Sequence, residues 1–172
     1  MKKASIFSKI ITYLLVFVGT VGMILFIYLL IKISFQTGES SKRITQTLSY
    51  KMGWLLIGEQ PSIEIMSLIN RLIRYLAHIA LFWLLGYGLG IILFMINRRP
   101  LTRLISVIFD WAVSFGLAYF TEYYKKYIPG RHFQLEDVRA NMIGALFGIC
   151  FFLISLAMFE VIHARRKSNS ED

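Results

Sequence analysis

Four runs of about twenty mostly apolar residues, at roughly 10–31, 75–96, 101–121 and 142–162, leave this chain very few folds. Inside hydrocarbon every backbone N–H and C=O must find its partner within the protein, so a spanning segment is a helix or a strand of a closed barrel. Runs of this length are helices, since a spanning strand needs only about ten residues. Composition agrees: 56% of the residues are hydrophobic and 15% aromatic, more than a soluble domain of this size accommodates. The expected fold is an all-α integral membrane protein, a four-transmembrane-helix bundle forming one domain over 1–172. Without an internal repeat the chain lacks the usual mark of an alternating-access transporter.

The first run follows Lys2, Lys3 and Lys9, as the apolar part of a signal peptide would. Its length exceeds an h-region and no small-x-small cleavage site follows, so it is expected to stay as an anchor helix. Between the first two runs, Ile44, Leu48, Met52 and Leu55 recur at helical spacing, with Trp54 as an interfacial anchor. After Pro61, the residues Ile65, Leu68, Ile69, Leu72 and Ile73 resume the period into the second run. This predicts an amphipathic interfacial helix between helices 1 and 2, partly lidding what lies beneath.

Four crossings put both ends on one side. The tails and the 97–100 turn, with Arg103 beside it, hold nine of the 19 basic residues, concentrated in short segments; the other ten are spread among acids. Concentration in short segments places the termini, 1–9 and 163–172, in the cytoplasm of a bacterium whose plasma membrane the chain crosses. The basic residues on the outer face then exceed what orientation requires, and they suggest an anionic partner there. A net charge of +9 without one basic stripe argues for anionic lipid and against nucleic acid. Cys150, the single cysteine, excludes a disulfide framework and reads as a small packing residue.

Polar residues gather at the outer ends of the runs: Ser40, Ser41 and Ser49 after the first, Arg71, Arg74 and His78 entering the second, Glu122 leaving the third, Arg131, Asp137 and Asn141 before the fourth. Each costs several kcal/mol in lipid unless partnered, which makes the group a candidate site. Spacing of four places Arg74, His78, Phe82, Gly86 and Gly90 on one face, Asp110, Ser114, Ala118 and Glu122 on another, and Asp137, Asn141, Gly144 and Gly148 on a third. Gly144 and Gly148 form a small-xxx-small face for close helix approach. Ile128-Pro129-Gly130-Arg131 reads as a tight turn that would hold Arg131 over the mouth.

The set Glu122 with its following aromatic pair, Tyr127-Ile-Pro-Gly-Arg131, Asp137-Val-x-x-Asn141-x-x-Gly144-Ala-x-x-Gly148, Arg74-x-x-Ala77-His78 and the serines after the first helix resembles the VanZ-like family of membrane proteins. The resemblance covers nearly the whole chain and implies envelope association and tolerance of glycopeptides such as teicoplanin, without implying a reaction. Lys125 departs from the family, which usually has Gln there, as does Ile79, where an aromatic usually follows the histidine.

The candidate catalytic residues are His78, Glu122 and Asp137, with His78 able to move a proton near neutral pH and Glu122 expected to pair with it or with Arg131 or Lys126. Candidate ligand-binding residues are Arg74, Arg131, Asn141, Ser40, Ser41 and Lys125, the arginines because a guanidinium binds phosphate or carboxylate bidentately. No ligand spacing such as HxxxH supports a metal, and no cofactor is expected. Asp110 reads as a neutral acid bonded to another helix, Glu160 as paired near His163 and Arg165. The readings are a protein that binds or processes an anionic envelope lipid or lipid-linked precursor, a non-catalytic factor that alters access of lipoglycopeptides to their surface targets, and a small exporter.

Overall fold

The computed structural model describes residues 2–58, 62–96 and 100–168; the side chains of 2–9, 40, 41, 56, 57, 100 and 163–168 are outside the description. The described residues form five α-helices: α1 Lys2–Ser34, α2 Gly38–Ile57, α3 Ile63–Ile96, α4 Pro100–Tyr124 and α5 Leu135–Ser168. Among the described residues four stretches, Ile10–Ser34, Ile63–Ile96, Leu101–Tyr127 and Leu135–Ile162, are long and apolar enough to cross a membrane. The protein is a multi-pass membrane protein of the expected all-α class. The apolar runs understate the helices, because α3 and α5 continue as helix through polar residues at the end where α3 and α5 begin. At 1.5 Å per residue the 34 residues of α3 extend about 51 Å, well past a hydrocarbon core of about 30 Å.

Local chemistry sets the joints. The helix α2 carries Glu39 in its first turn, where the helix dipole favours an acid, and it ends at Gly58. Gly58 adopts φ +75° and donates its N–H to Trp54 O at 2.9 Å, a left-handed cap that a side chain resists. Ser62 caps α3 by accepting the Ile65 N–H at 3.4 Å. Pro61, expected to break the helix, lies outside the described residues.

The spine is the α3–α5 pair, the most extensive contact in the bundle. Glycines make that closeness possible: a Cβ on Gly144 would stand 2.2 Å from Ile79 O, one on Gly148 2.3 Å from Trp83 O, and one on Gly86 2.7 Å from Ala145 O. The small-residue face is thus used inside the chain. Phe82 and Leu85 of α3, Ala118 of α4, Ala145 of α5 and Leu30 of α1 form the buried core. By contrast α1 exposes Leu14, Phe17, Val18, Ile24 and Leu25, a surface suited to lipid tails and not to water. Cys150 is exposed on α5 and does not pack as expected, because the α5 face turned to α3 is the one carrying Gly144 and Gly148.

Candidate functional site

In the half of the bundle where α3 and α5 begin, three elements bring ionisable side chains together: α3 three to four turns in (Arg74, His78), the exit of α4 (Glu122, Lys125) and the first turns of α5 (Asp137, Asn141). After Tyr124 the chain tightens into a 3₁₀ turn, Lys125–Tyr127, which aims Lys125 inward. The turn Ile128 to Arg131 comes next, closed by Arg131 N–H to Ile128 O at 3.1 Å with Gly130 at φ +72°. That turn packs on the start of α2: Gly38 donates to Pro129 O at 3.4 Å, and a Cβ on Gly38 would lie 2.2 Å from Gly130 O.

Asp137 is the hub. Its Oδ2 accepts from Arg74 Nη2 at 3.2 Å and Lys125 Nζ at 3.4 Å, and lies 3.4 Å from His78 Nε2. Lys125 Nζ also donates to Glu122 Oε1, three residues back. The other His78 nitrogen, Nδ1, is 2.9 Å from Asn141 Oδ1, and Arg74 Nη2 also donates to Gln134 Oε1 at 3.3 Å. The Lys125 side chain is 2% exposed and that of Glu122 1%, so their charges meet in a low dielectric where an unpaired partner would be very costly.

The pairings differ from expectation. His78 meets Asp137 and Asn141, not Glu122; Glu122 takes Lys125, not Arg131 or Lys126. Lys126 instead lies over the Tyr123 ring, 4.3 Å from its centroid. Arg131 donates from Nη1 to Ser34 O at 3.0 Å and Gln36 O at 3.1 Å, so its guanidinium is fixed by carbonyls at the end of α1. Burial, reinforced by the Arg74 guanidinium, lowers its pKa from the usual arginine value, while Glu122 and Asp137 act the other way. Arginine stays protonated regardless, so the shift marks chiefly how far this guanidinium is withdrawn from solvent.

Ser40 and Ser41 lie outside the described side chains. Ser49 is buried but donates to Thr45 O within α2. Asp110 accepts from Ser114 on its own helix at 3.3 Å, not from another helix, and its stripe Asp110, Ser114, Ala118 and Glu122 is buried throughout. Glu160 pairs with Arg103 at 3.6 Å; its expected neighbours His163 and Arg165 fall outside the described side chains.

Ligand atoms of His78, Glu122 and Asp137 all lie within 4.8 Å of one another, a convergence that no sequence spacing signalled. The Lys125 ammonium bonds two of the three, so a cationic group already stands between them. Among the described residues Glu122 Oε2, Asn141 Nδ2 and Asn70 Oδ1 are buried without a hydrogen-bond partner.

Two cavities open beside this network. One of about 260 Å³ is lined by Lys42, Asn70, Arg74, Lys125, Arg131 and His132, among others, with no carboxylate among the described residues of its wall. A larger one of about 810 Å³ shares Asn70, Arg74 and Gln134 with it and adds Leu68, Leu72 and Tyr75. Sequence reasoning missed Lys42, Asn70, His132 and Gln134; Asn70 was within reach, standing four residues before Arg74 on the face that continues to His78. A third cavity, of about 260 Å³ between Phe94, Val107 and Phe152 near the other end, is almost wholly apolar and meets none of these groups.

Aromatic side chains collar the same end. Phe35 stacks on Tyr124 with centroids 4.5 Å apart, and Tyr119, Tyr123 and Tyr127 continue along α4 and its exit. Rings with one wet edge favour the boundary between hydrocarbon and water.

No curated protein and no solved structure matches the chain significantly. The family described as VanZ/LLP1 matches residues 12–157, which include every group in the network, and the chain therefore belongs to the VanZ/LLP1 family, membrane proteins associated with resistance.

Proposed function

We propose that this protein binds the anionic headgroup of a bacterial envelope lipid or lipid-linked precursor at the outer leaflet, and thereby contributes to tolerance of glycopeptides such as teicoplanin. The observation that carries the reading is the smaller cavity: Lys42, Arg74, Lys125 and Arg131 converge on a space with no acid among the described residues of its lining. Cations gathered at a membrane boundary repel one another unless an anion joins them, and guanidinium groups held in place are suited to phosphate or carboxylate oxygens. With Arg131 fixed by Ser34 and Gln36 carbonyls and Arg74 by Asp137, little side-chain entropy is left to lose on binding.

Binding is favoured over turnover because His78 has a polar partner on each ring nitrogen and Asp137 is held by Arg74, Lys125 and His78 together. In this reading His78, Glu122, Asp137 and Asn141 are a scaffold that holds Lys125 and Arg74. A second reading, proton transfer during processing of the lipid, draws on the unpartnered Oε2 of Glu122. Teicoplanin protection in a sensitive host separates the two. We expect Arg131→Ala with Arg74→Ala to abolish protection at unchanged membrane level, while Glu122→Gln retains much of it. Full protection by the arginine variants would discard the headgroup site, and total loss in a normally folded Glu122→Gln would favour proton chemistry.

A further inference from the structure

The cluster behind the smaller cavity is built from metal-ligating side chains. His78, Glu122 and Asp137 each bring one ligand atom within 4.8 Å of the others. His78 Nε2 and Asp137 Oδ2 are 3.4 Å apart, close to the separation of two ligands that a tetrahedral ion holds at about 2.1 Å each. The imidazole is also oriented as a ligating histidine is: Asn141 Oδ1 can only accept, so Nδ1 at 2.9 Å donates to it, and Nε2 is the nitrogen turned to the cluster. Glu122 adds an Oε2 that is buried without a hydrogen-bond partner. An ion pair between lysine and two carboxylates needs neither the imidazole nor its fixed orientation.

Lys125 already supplies a cation to this cluster. Its Nζ bonds Glu122 Oε1 and lies 3.4 Å from Asp137 Oδ2, and its side chain is 2% exposed. An ammonium is a compact charge with three donors, so from one point it meets both carboxylates much as an ion would. We infer that His78, Glu122 and Asp137 form a site of divalent transition-metal type, suited to zinc, whose cation in this chain is the tethered ammonium of Lys125, so that this residue closes the site to metal and its removal opens it. The inference is independent of the headgroup reading. Lys125 reaches the cluster because the 3₁₀ turn at the exit of α4 aims it inward, and its covalent link makes the cation permanent. A nitrogen donor beside two carboxylates suits zinc, whereas magnesium and calcium take oxygen ligands. Three protein ligands leave a fourth position for water.

The test uses the full chain in detergent, carrying a tag without histidine and freed of metal by a chelator. Lys125→Ala, Lys125→Gln and the parent are titrated with Co²⁺, whose visible absorption reports tetrahedral ligation, and then with Zn²⁺. At least one variant is expected to give the tetrahedral cobalt spectrum, with Zn²⁺ displacing the cobalt and raising Tm. The parent is expected to bind about a hundredfold or more weaker, a margin that one cation at contact distance readily supplies. Adding His78→Ala should abolish the cobalt spectrum. Adding Asn141→Ala, which releases the imidazole, should weaken binding about 10–100-fold. Folded variants that bind no metal overturn the inference, as does equal affinity in the parent or a cobalt spectrum unchanged by His78→Ala. Variants that stay unfolded with Zn²⁺ supplied throughout purification overturn it too, because the ion is expected to stand in for the missing ammonium between two buried carboxylates.

Discussion

Both ends of the bundle hold a basic side chain against a carboxylate, and the pairs could hardly differ more. Arg103 and Glu160 face each other at 3.6 Å with side chains 37% and 61% exposed. Water competes for both, and the Arg103 guanidinium also rests on the Phe94 ring, 4.2 Å from its centroid. Lys125, Glu122 and Asp137, with side chains 2%, 1% and 10% exposed, have no such alternative. The same attraction is dispensable at one end and obligatory at the other, because burial removes the solvent that would otherwise stabilise a lone charge. What the comparison teaches is that Lys125, the buried cation shared by two carboxylates, cannot be lost quietly.

Lys125→Met should break the contrast most severely. It leaves Glu122 and Asp137 with one cation too few and is expected to destabilise by about 3–5 kcal/mol, read as a large fall in Tm in detergent. Adding Glu122→Gln to that variant should recover a good part of the loss; no recovery would mean that Lys125 acts through packing alone. Next in size is Gly144→Val. Its Cβ would meet Ile79 O at 2.2 Å, backbone that cannot swing aside, so the α3–α5 spine must part at a cost of about 1–3 kcal/mol. An unchanged Tm would refute the close approach. Asn141→Ala removes the partner of His78 Nδ1 and should cost about 1–3 kcal/mol, with Asn141→Asp milder if the oxygen is what matters. Smallest is Arg103→Met at the opposite end, expected to lie within about 1 kcal/mol of the parent. An effect there as large as that of Lys125→Met would erase the distinction between the two ends.

Much of this architecture was legible because lipid punishes error: apolar length gave the crossings, and spacing of four gave the Asp110 to Glu122 stripe and the Gly144 and Gly148 face. The turn at Pro129-Gly130 was readable for a related reason, since few residues supply that backbone shape. Partnerships were less legible. His78 and Glu122 both had to be partnered, but which acid a histidine meets depends on the rotation of α5 against α3, which is set by glycine contacts such as that of Gly144 with Ile79. Lys125 looked like a charge at the mouth because a 3₁₀ turn, which periodicity does not announce, redirects it inward. Asp110 found its bond four residues along its own helix, where a serine at short range wins over a hydroxyl that another helix would have to deliver. Lys42 and His132 entered the cavity wall only through the docking of the Gly130 turn on α2.

The claim beneath the proposed function is that this polar end faces outside the cytoplasm. His132 is exposed, borders the smaller cavity and precedes α5, which makes it a usable reporter. Intact cells carrying His132→Cys in a Cys150→Ser background would be treated with a membrane-impermeant maleimide, then compared with permeabilised cells. The account predicts full labelling of intact cells, with no increase on permeabilisation. Labelling that appears only after permeabilisation would put the cavity on the cytoplasmic side and contradict the account.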